Sequence, residues 1–247
     1  DTETCDLLAQ LLSQKQVAII SGESYVYFKE HILGGLETTI PRSLLKKLCL
    51  FPASSSLCYC YRDGWSLVYE EALLPHERSQ IKDSFGKISR ELAVIRPDKI
   101  YGDEFEDSGA QITFLGLGQQ APVELRKRWD PDRRKRTAIR NALLEHLPEF
   151  NLSVAGTISI DITNKQIDKT FGIVQIERRM GILPQEILFL GNELYEGGND
   201  YPVKRMGLDC LEVSGPQETK SIIRSLLHQQ EKPGVLLNAG RLERTLV

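Results

Sequence analysis

The order of apolar and polar positions divides the chain into stretches of different grammar. Leu7, Leu8, Leu11 and Leu12 recur at the spacing of one helix face, which predicts a helix over residues 4–13. "VAII" at 17–20 follows as a short buried strand, and the polar "SGES" at 21–24 ends it. "YVYFKEHILGGL" then reads as a helix that stops at Gly34–Gly35. Strand, tight polar turn and helix in succession are the grammar of a parallel α/β layer.

From about residue 56 the period changes. "LCYCYRDGWSLVYEEAL" holds two strands on either side of a turn at Asp63–Gly64. A charge-rich helix is expected over 76–94. "AQITFLGL" and "TISIDIT" are further strands, with a basic helical stretch at 122–148 between them. Hairpin strands with helices on one side describe an α+β module. After residue 166 the α/β grammar returns, with "DKTFGIVQIERRMG" a helix, "EILFLG" a strand and "DYPVKRMG" a short helix. "LDCLEV" is then a strand and "PQETKSIIRSLLHQQ" a closing helix. The pattern predicts an α/β core with a parallel sheet over 1–53 and 166–247, interrupted by an inserted α+β cap over 54–165.

Composition narrows the function classes. The chain has 247 residues, 41% hydrophobic and 26% charged, with a formal net charge of -3. That length buries one large core, or a core with a smaller inserted domain. No apolar run approaches the roughly 20 residues that span a bilayer, and the first sixteen residues lack the pattern of a secretory signal. The five cysteines are odd in number and scattered. Cys58 and Cys60 stand two apart in a strand, a poor spacing for a shared metal. A reduced, cytoplasmic protein without a membrane partner is expected. An acidic chain without aromatic and basic residues interleaved also argues against nucleic acid. The run "RKRWDPDRRKRTAIR" reads either as a solvated helix face or as a cap surface that attracts phosphate.

In a parallel sheet, ligands gather at the carboxyl ends of the strands. Ser21 follows "VAII", Asn192 follows "EILFL", and Lys169 starts the helix after the cap, within reach of the same edge. A hydroxyl, an ammonium and an oxygen-donor loop suit a phosphate and a Mg²⁺ ion. Ser21 would meet the anion near a helix start, Lys169 would neutralise its charge, and Asn192 with Asp200 would offer hard oxygen ligands. Each element also has an ordinary reading: a Ser as helix cap, "DK" as a pair favoured by the helix dipole, "GGND" as a turn.

Their order around an inserted cap resembles the haloacid dehalogenase superfamily, in the branch whose cap lies between the second and third motifs. Within it the chain is similar to phosphomannomutase and to bacterial sugar phosphatases of that type. "VAIISGES" matches the second motif at Ser21, "IDKTFGI" the third at Lys169, and "LFLGNELYEGGNDYP" the fourth. "AGTISIDIT" resembles the cap segment whose Ser and Asp contact the sugar, here Ser159 and Asp161, and "QITFLGLGQQAP" is of the bacterial type. The resemblance implies phosphoryl transfer through an aspartyl-phosphate with Mg²⁺ as cofactor. It implies phosphate on Ser21, Gly22 and Lys169, metal on Asn192 and Asp200, and a sugar phosphate held by Gln119, Ser159 and Asp161. A homodimer through the cap is a further expectation, because such dimers occur in that family.

The chain departs from the pattern in three places. Nothing before Ser21 supplies the first motif, Asp-x-Asp-x-Thr, so the expectation is that the sequence lacks an N-terminal segment, or that the tail at 234–240 fills the strand's place. "WDPDR" has two carboxylates without a preceding strand and reads as a helix-start turn. Asn192 stands where the family has Asp, which removes a negative charge from the metal site. Gln119 stands where true phosphomannomutases place an arginine. Three functions follow: a phosphatase acting on a sugar phosphate, a phosphomannomutase, or a sugar-phosphate binder without turnover.

Overall fold

The computed structural model describes residues 1–88, 93, 95–228 and 245–246. The chain divides into two compact units, one of Asp1–Tyr69 with Lys169–Val247 and the other of Glu70–Asp168.

The first unit is built on a seven-stranded sheet. Its strands are β1 (Val17–Ile20), β2 (Leu48–Phe51), β3 (Leu57–Tyr61), β4 (Trp65–Glu70), β9 (Ile187–Gly191), β10 (Asp209–Glu212) and β11 (Thr245–Leu246). They lie in the order β10-β9-β11-β1-β2-β3-β4. β1, β2, β9, β10 and β11 are parallel, and β3 joins β2 antiparallel. Alternate strand residues point to opposite faces, and each face has its own apolar layer. Val17, Leu48, Leu50 and Leu188 pack with Leu7, Leu8, Leu11 and Leu12 of helix α1 (Thr2–Gln14). Ala18, Phe51, Ile187 and Phe189 pack on the other side with Ile173 and Ile176. Those two belong to the helix after the second unit, Lys169–Met180. No helix among the described residues is long and apolar enough to cross a membrane.

Three features differ from the sequence reading. The helix expected to stop at Gly34–Gly35 continues through a π-turn at Lys29–Leu33 into Gly34–Thr39. Glycine loses backbone entropy inside a helix, which makes it resemble a stop, but Leu33 and Leu36 bury against α1 and carry the helix past it. The hairpin β3–β4 belongs to the core sheet rather than to the cap, so the first boundary falls at 69/70 instead of 53/54. Cys49 lies opposite Cys60 in the β2–β3 ladder with a Cα–Cα separation of 4.5 Å, and the two form a disulfide where reduced thiols were expected. Facing residues of an antiparallel pair approach this closely at positions without ladder hydrogen bonds.

The slot between β1 and β9 is taken by β11, with Val17 opposite Leu246 and with Ile187 and Leu188 opposite Thr245 and Leu246. The tail at 234–240, the sequence's candidate for that slot, lies outside the described residues.

The second unit has an antiparallel sheet of β5 (Phe105–Asp107), β6 (Ile112–Leu115), β7 (Phe150–Ala155) and β8 (Ser159–Asn164), in the order β5-β6-β8-β7. Ile112, Phe114, Leu152, Ile160 and Ile162 form its apolar face, packed with Ile81, Phe85, Ile139 and Leu143 from helices Pro75–Lys87 and Arg134–Leu144. The alternate residues Thr113, Ser153 and Asp161 share a row on the opposite, polar face. The basic stretch read as one helix is two, Val123–Trp129 and Arg134–Leu144. Between them Asp130 accepts from the backbone N–H groups of Lys135 and Arg136, so "WDPDR" is the helix-start turn that the sequence suggests. At the ends of this unit, Asn164 Nδ2 donates to the carbonyls of Glu71 and Ala72, 3.4 Å each.

Candidate active site

At the carboxyl edge of the parallel sheet, the turn after β1 is tied to the loop after β2. Ser21 N–H donates to Phe51 O (3.0 Å), and Ser21 O accepts from Ser54 N–H (2.8 Å). The Ser21 hydroxyl oxygen accepts from Glu23 N–H at 3.1 Å. Ser24, not Ser21, caps the following helix, accepting from Tyr27 N–H. Ser21 and Gly22 therefore form a turn ahead of the helix start rather than the start itself.

Lys169 is the first residue of its helix, and its ammonium lies 2.5 Å from Asp200 Oδ1 and 3.2 Å from Asn199 Oδ1. Asp200 is buried, 1% exposed, and its second oxygen accepts from Glu193 N–H at 2.9 Å. Glu193 is buried too, and its carboxylate accepts from Asn199 N–H at 3.3 Å. The loop is thus folded around its own carboxylates, and two glycines make that possible. A Cβ on Gly191 would stand 2.7 Å from Asp200 Oδ2, and one on Gly198 would stand 2.1 Å from Glu193 O. The role of Glu193 was not visible in the sequence; the glycines at 191 and 198 were the signal that the loop closes on itself.

Asn192 separates from this cluster. It is exposed and lines a cavity of about 380 Å³ with Thr4, Val213 and Lys220, and no hydrogen bond joins it to Asp200 among the described residues. Mg²⁺ requires near-octahedral oxygen donors. Here both oxygens of Asp200 are already engaged by Lys169 and Glu193 N–H, and no group of three or more His, Cys, Asp or Glu side chains gathers for a metal among the described residues. This donor set does not by itself fit a magnesium ion.

The sequence also gave no notice of the loop at 53–56. Ala53, Ser54 and Ser55 have positive φ values of 50°, 54° and 76° in succession. Non-glycine residues held there store strain and cluster at functional sites. Ser55 and Ser56 are fully buried with hydroxyls that lack a hydrogen-bond partner among the described residues. Ser55 fits only because its neighbour is Gly172, where a Cβ would stand 2.5 Å from Ser55 Oγ. A hidden hydroxyl without a partner is a costly arrangement.

In the second unit, Asp161 is 4% exposed, and the Thr113 hydroxyl donates to its Oδ1 at 3.0 Å. Gln111 Nε2 donates in turn to Thr113 Oγ1 at 2.9 Å. Gln111 and Thr113, which the sequence reading passed over, therefore orient the carboxylate. Ser159 lies two residues along β8 at the half-buried end of the same face. Gln119 lies beyond β6, exposed, with its backbone carbonyl held by Arg126 Nη2 at 2.5 Å.

Residues 82–229 match the family model described as eukaryotic phosphomannomutase. The chain belongs to that family. It is 29% identical over 150 residues to the phosphomannomutase of Saccharomyces cerevisiae, covering 57% of each chain. It is 30% identical over 107 residues to that of Spinacia oleracea, covering 41% of each. The match thus spans 57% of the length of the first of these curated relatives and 41% of the second. Among solved structures, it resembles an N-terminally truncated, IMP-bound IMP-nucleotidase of Plasmodium falciparum with a TM-score of 0.61 and 17% identity, over 92% of this chain and 63% of that one. A haloacid dehalogenase-like hydrolase from Bacteroides thetaiotaomicron matches over 92% of both chains, with a TM-score of 0.55 and 10% identity. These structures share the fold, a Rossmann-like core with a cap.

Proposed function

We propose that the chain takes part in phosphoryl transfer on a sugar phosphate, most simply hydrolysis. The observation that carries this reading is Lys169, whose ammonium is held by Asp200 and Asn199 at the carboxyl edge of the sheet. A fixed cation at that edge stabilises charge on a transferring phosphoryl group without reorganising as the charge develops. Ser21 and Gly22 supply a turn at the same edge of the sheet. Asp161 accepts from sugar hydroxyls, and its fixed orientation through Thr113 supports selection among them. Membership of the phosphomannomutase family supports the sugar-phosphate class.

The test is turnover of sugar phosphates, read as released phosphate, for wild type and Lys169→Ala. A loss in kcat of at least about 10²-fold is expected, the scale of one lost charge-stabilising donor. Unchanged turnover in the variant would move the site elsewhere. Dependence on a hexose 1,6-bisphosphate would instead make the reaction an isomerisation, the mutase alternative. A binder without turnover is the second reading, favoured because Asp200 already spends both oxygens on protein groups. Calorimetry that shows sugar-phosphate binding alongside no turnover would select it.

A further inference from the structure

We propose a second anion site on the first unit, at the edge of the sheet opposite Ser21 and Lys169. Lys46, Lys47, Arg62 and Arg179 line one cavity of about 230 Å³, and no Asp or Glu is among the described residues that line it. None of the four cations forms an ion pair among the described residues. Lys46 and Lys47 immediately precede β2, which puts these two cations at the amino ends of the parallel strands, while Cys49 and Phe51 carry the lining along β2. Arg179 lies ten residues along the helix that Lys169 begins, roughly 15 Å away at 1.5 Å per residue.

The cavity has a built wall. Gln175, 6% exposed, lines it, and its side-chain oxygen accepts from Arg179 Nε at 2.8 Å. The Arg179 guanidinium also lies 4.9 Å from the centre of the Tyr69 ring. One cation is therefore fixed in advance, which lowers the ordering cost of binding. The Cys49–Cys60 disulfide lines the same cavity and pins the strand that leads to Arg62. The carboxyl end of the helix brings about half a negative charge, far less than the four positive charges around the space. Like charges without counter-charge repel, and an anion relieves that cost.

The ligand class is a small phosphate-bearing anion, because the volume is below that of usual organic-ligand pockets and guanidinium with ammonium is the standard phosphate-recognising set. The site goes beyond the proposed phosphoryl transfer and does not depend on it. Its test is calorimetry with inorganic pyrophosphate on the whole chain. In Lys169→Ala, binding is expected to persist, since the site lies elsewhere. Lys46→Gln with Arg62→Gln, both exposed positions, is expected to weaken binding by roughly tenfold while thermal stability without pyrophosphate does not fall. Loss of binding in Lys169→Ala, or undiminished binding in the double variant, would overturn the proposal. So would absence of binding in wild type.

Discussion

Arg136 is the largest fully buried side chain among the described residues, and one carboxylate keeps it there. Its Nε donates to Asp130 Oδ2 at 2.8 Å, and its Nη1 donates to the carbonyls of Ala155 and Gly156 at 2.7 Å each. Burial works against ionising Asp130, but the bonds from Arg136 and from the N–H groups of Lys135 and Arg136 outweigh it, holding the carboxyl below the usual range. Asp130→Ala leaves a buried guanidinium without its counter-charge and is expected to cost about 3–5 kcal/mol, read by urea unfolding. The pH dependence has a definite sign. A carboxyl with a depressed folded pKa contributes fully above its unfolded value of about 3.9, and the contribution is lost as pH falls through the folded value. Urea midpoints should drop below about pH 4, and Asp130→Asn should flatten that part of the profile. Thr113→Val removes the donor to Asp161; if Asp161 holds the sugar, KM rises about 2- to 10-fold with kcat unchanged. Unaltered KM would leave the chain of donors a structural feature only. The turn at Asp130 was legible in "WDPDR", whereas its guanidinium partner was one of many basic residues in a run read as a solvated face or a phosphate-attracting surface.

Among the elements, legibility followed the range of the forces involved. "VAII" and "EILFLG" show as strands because a buried strand declares itself in a few consecutive apolar residues. The hairpin at 57–70 was equally visible as a hairpin, but its sheet was not, since pairing of Cys49 with Cys60 is a contact across a turn that local grammar does not record. The same holds for β11, which reaches the middle of the sheet from the far end of the chain. Ser21 and Ser24 both suit a cap, and only the hydrogen bond to Tyr27 N–H separates them. The disulfide closes a loop with a sequence separation of 11, for which chain entropy gives about 3 kcal/mol. Cys60→Ser should lower the unfolding free energy by that order under oxidising conditions and by little under reducing ones. Equal stability of wild type in both conditions would remove the disulfide as a constraint.

Taken whole, the chain holds two units with separate cores, and the second has a sheet with two helices packed on its apolar face. A segment of residues 70–168 is expected to fold alone, with a dispersed amide NMR spectrum; a collapsed spectrum would show that it needs the rest of the chain. The fit of the family model, 82–229, crosses the boundary at 168/169, so the match draws on residues of both units.

The amide of Asn164 reaches back to the carbonyls of Glu71 and Ala72, so the insertion leaves its host and returns at nearly one point. Closing so short a gap costs little chain entropy. The host strand and helix therefore sense the presence of a loop far more than its content. A different domain placed between Tyr69 and Lys169 would make few demands on the sheet that carries it.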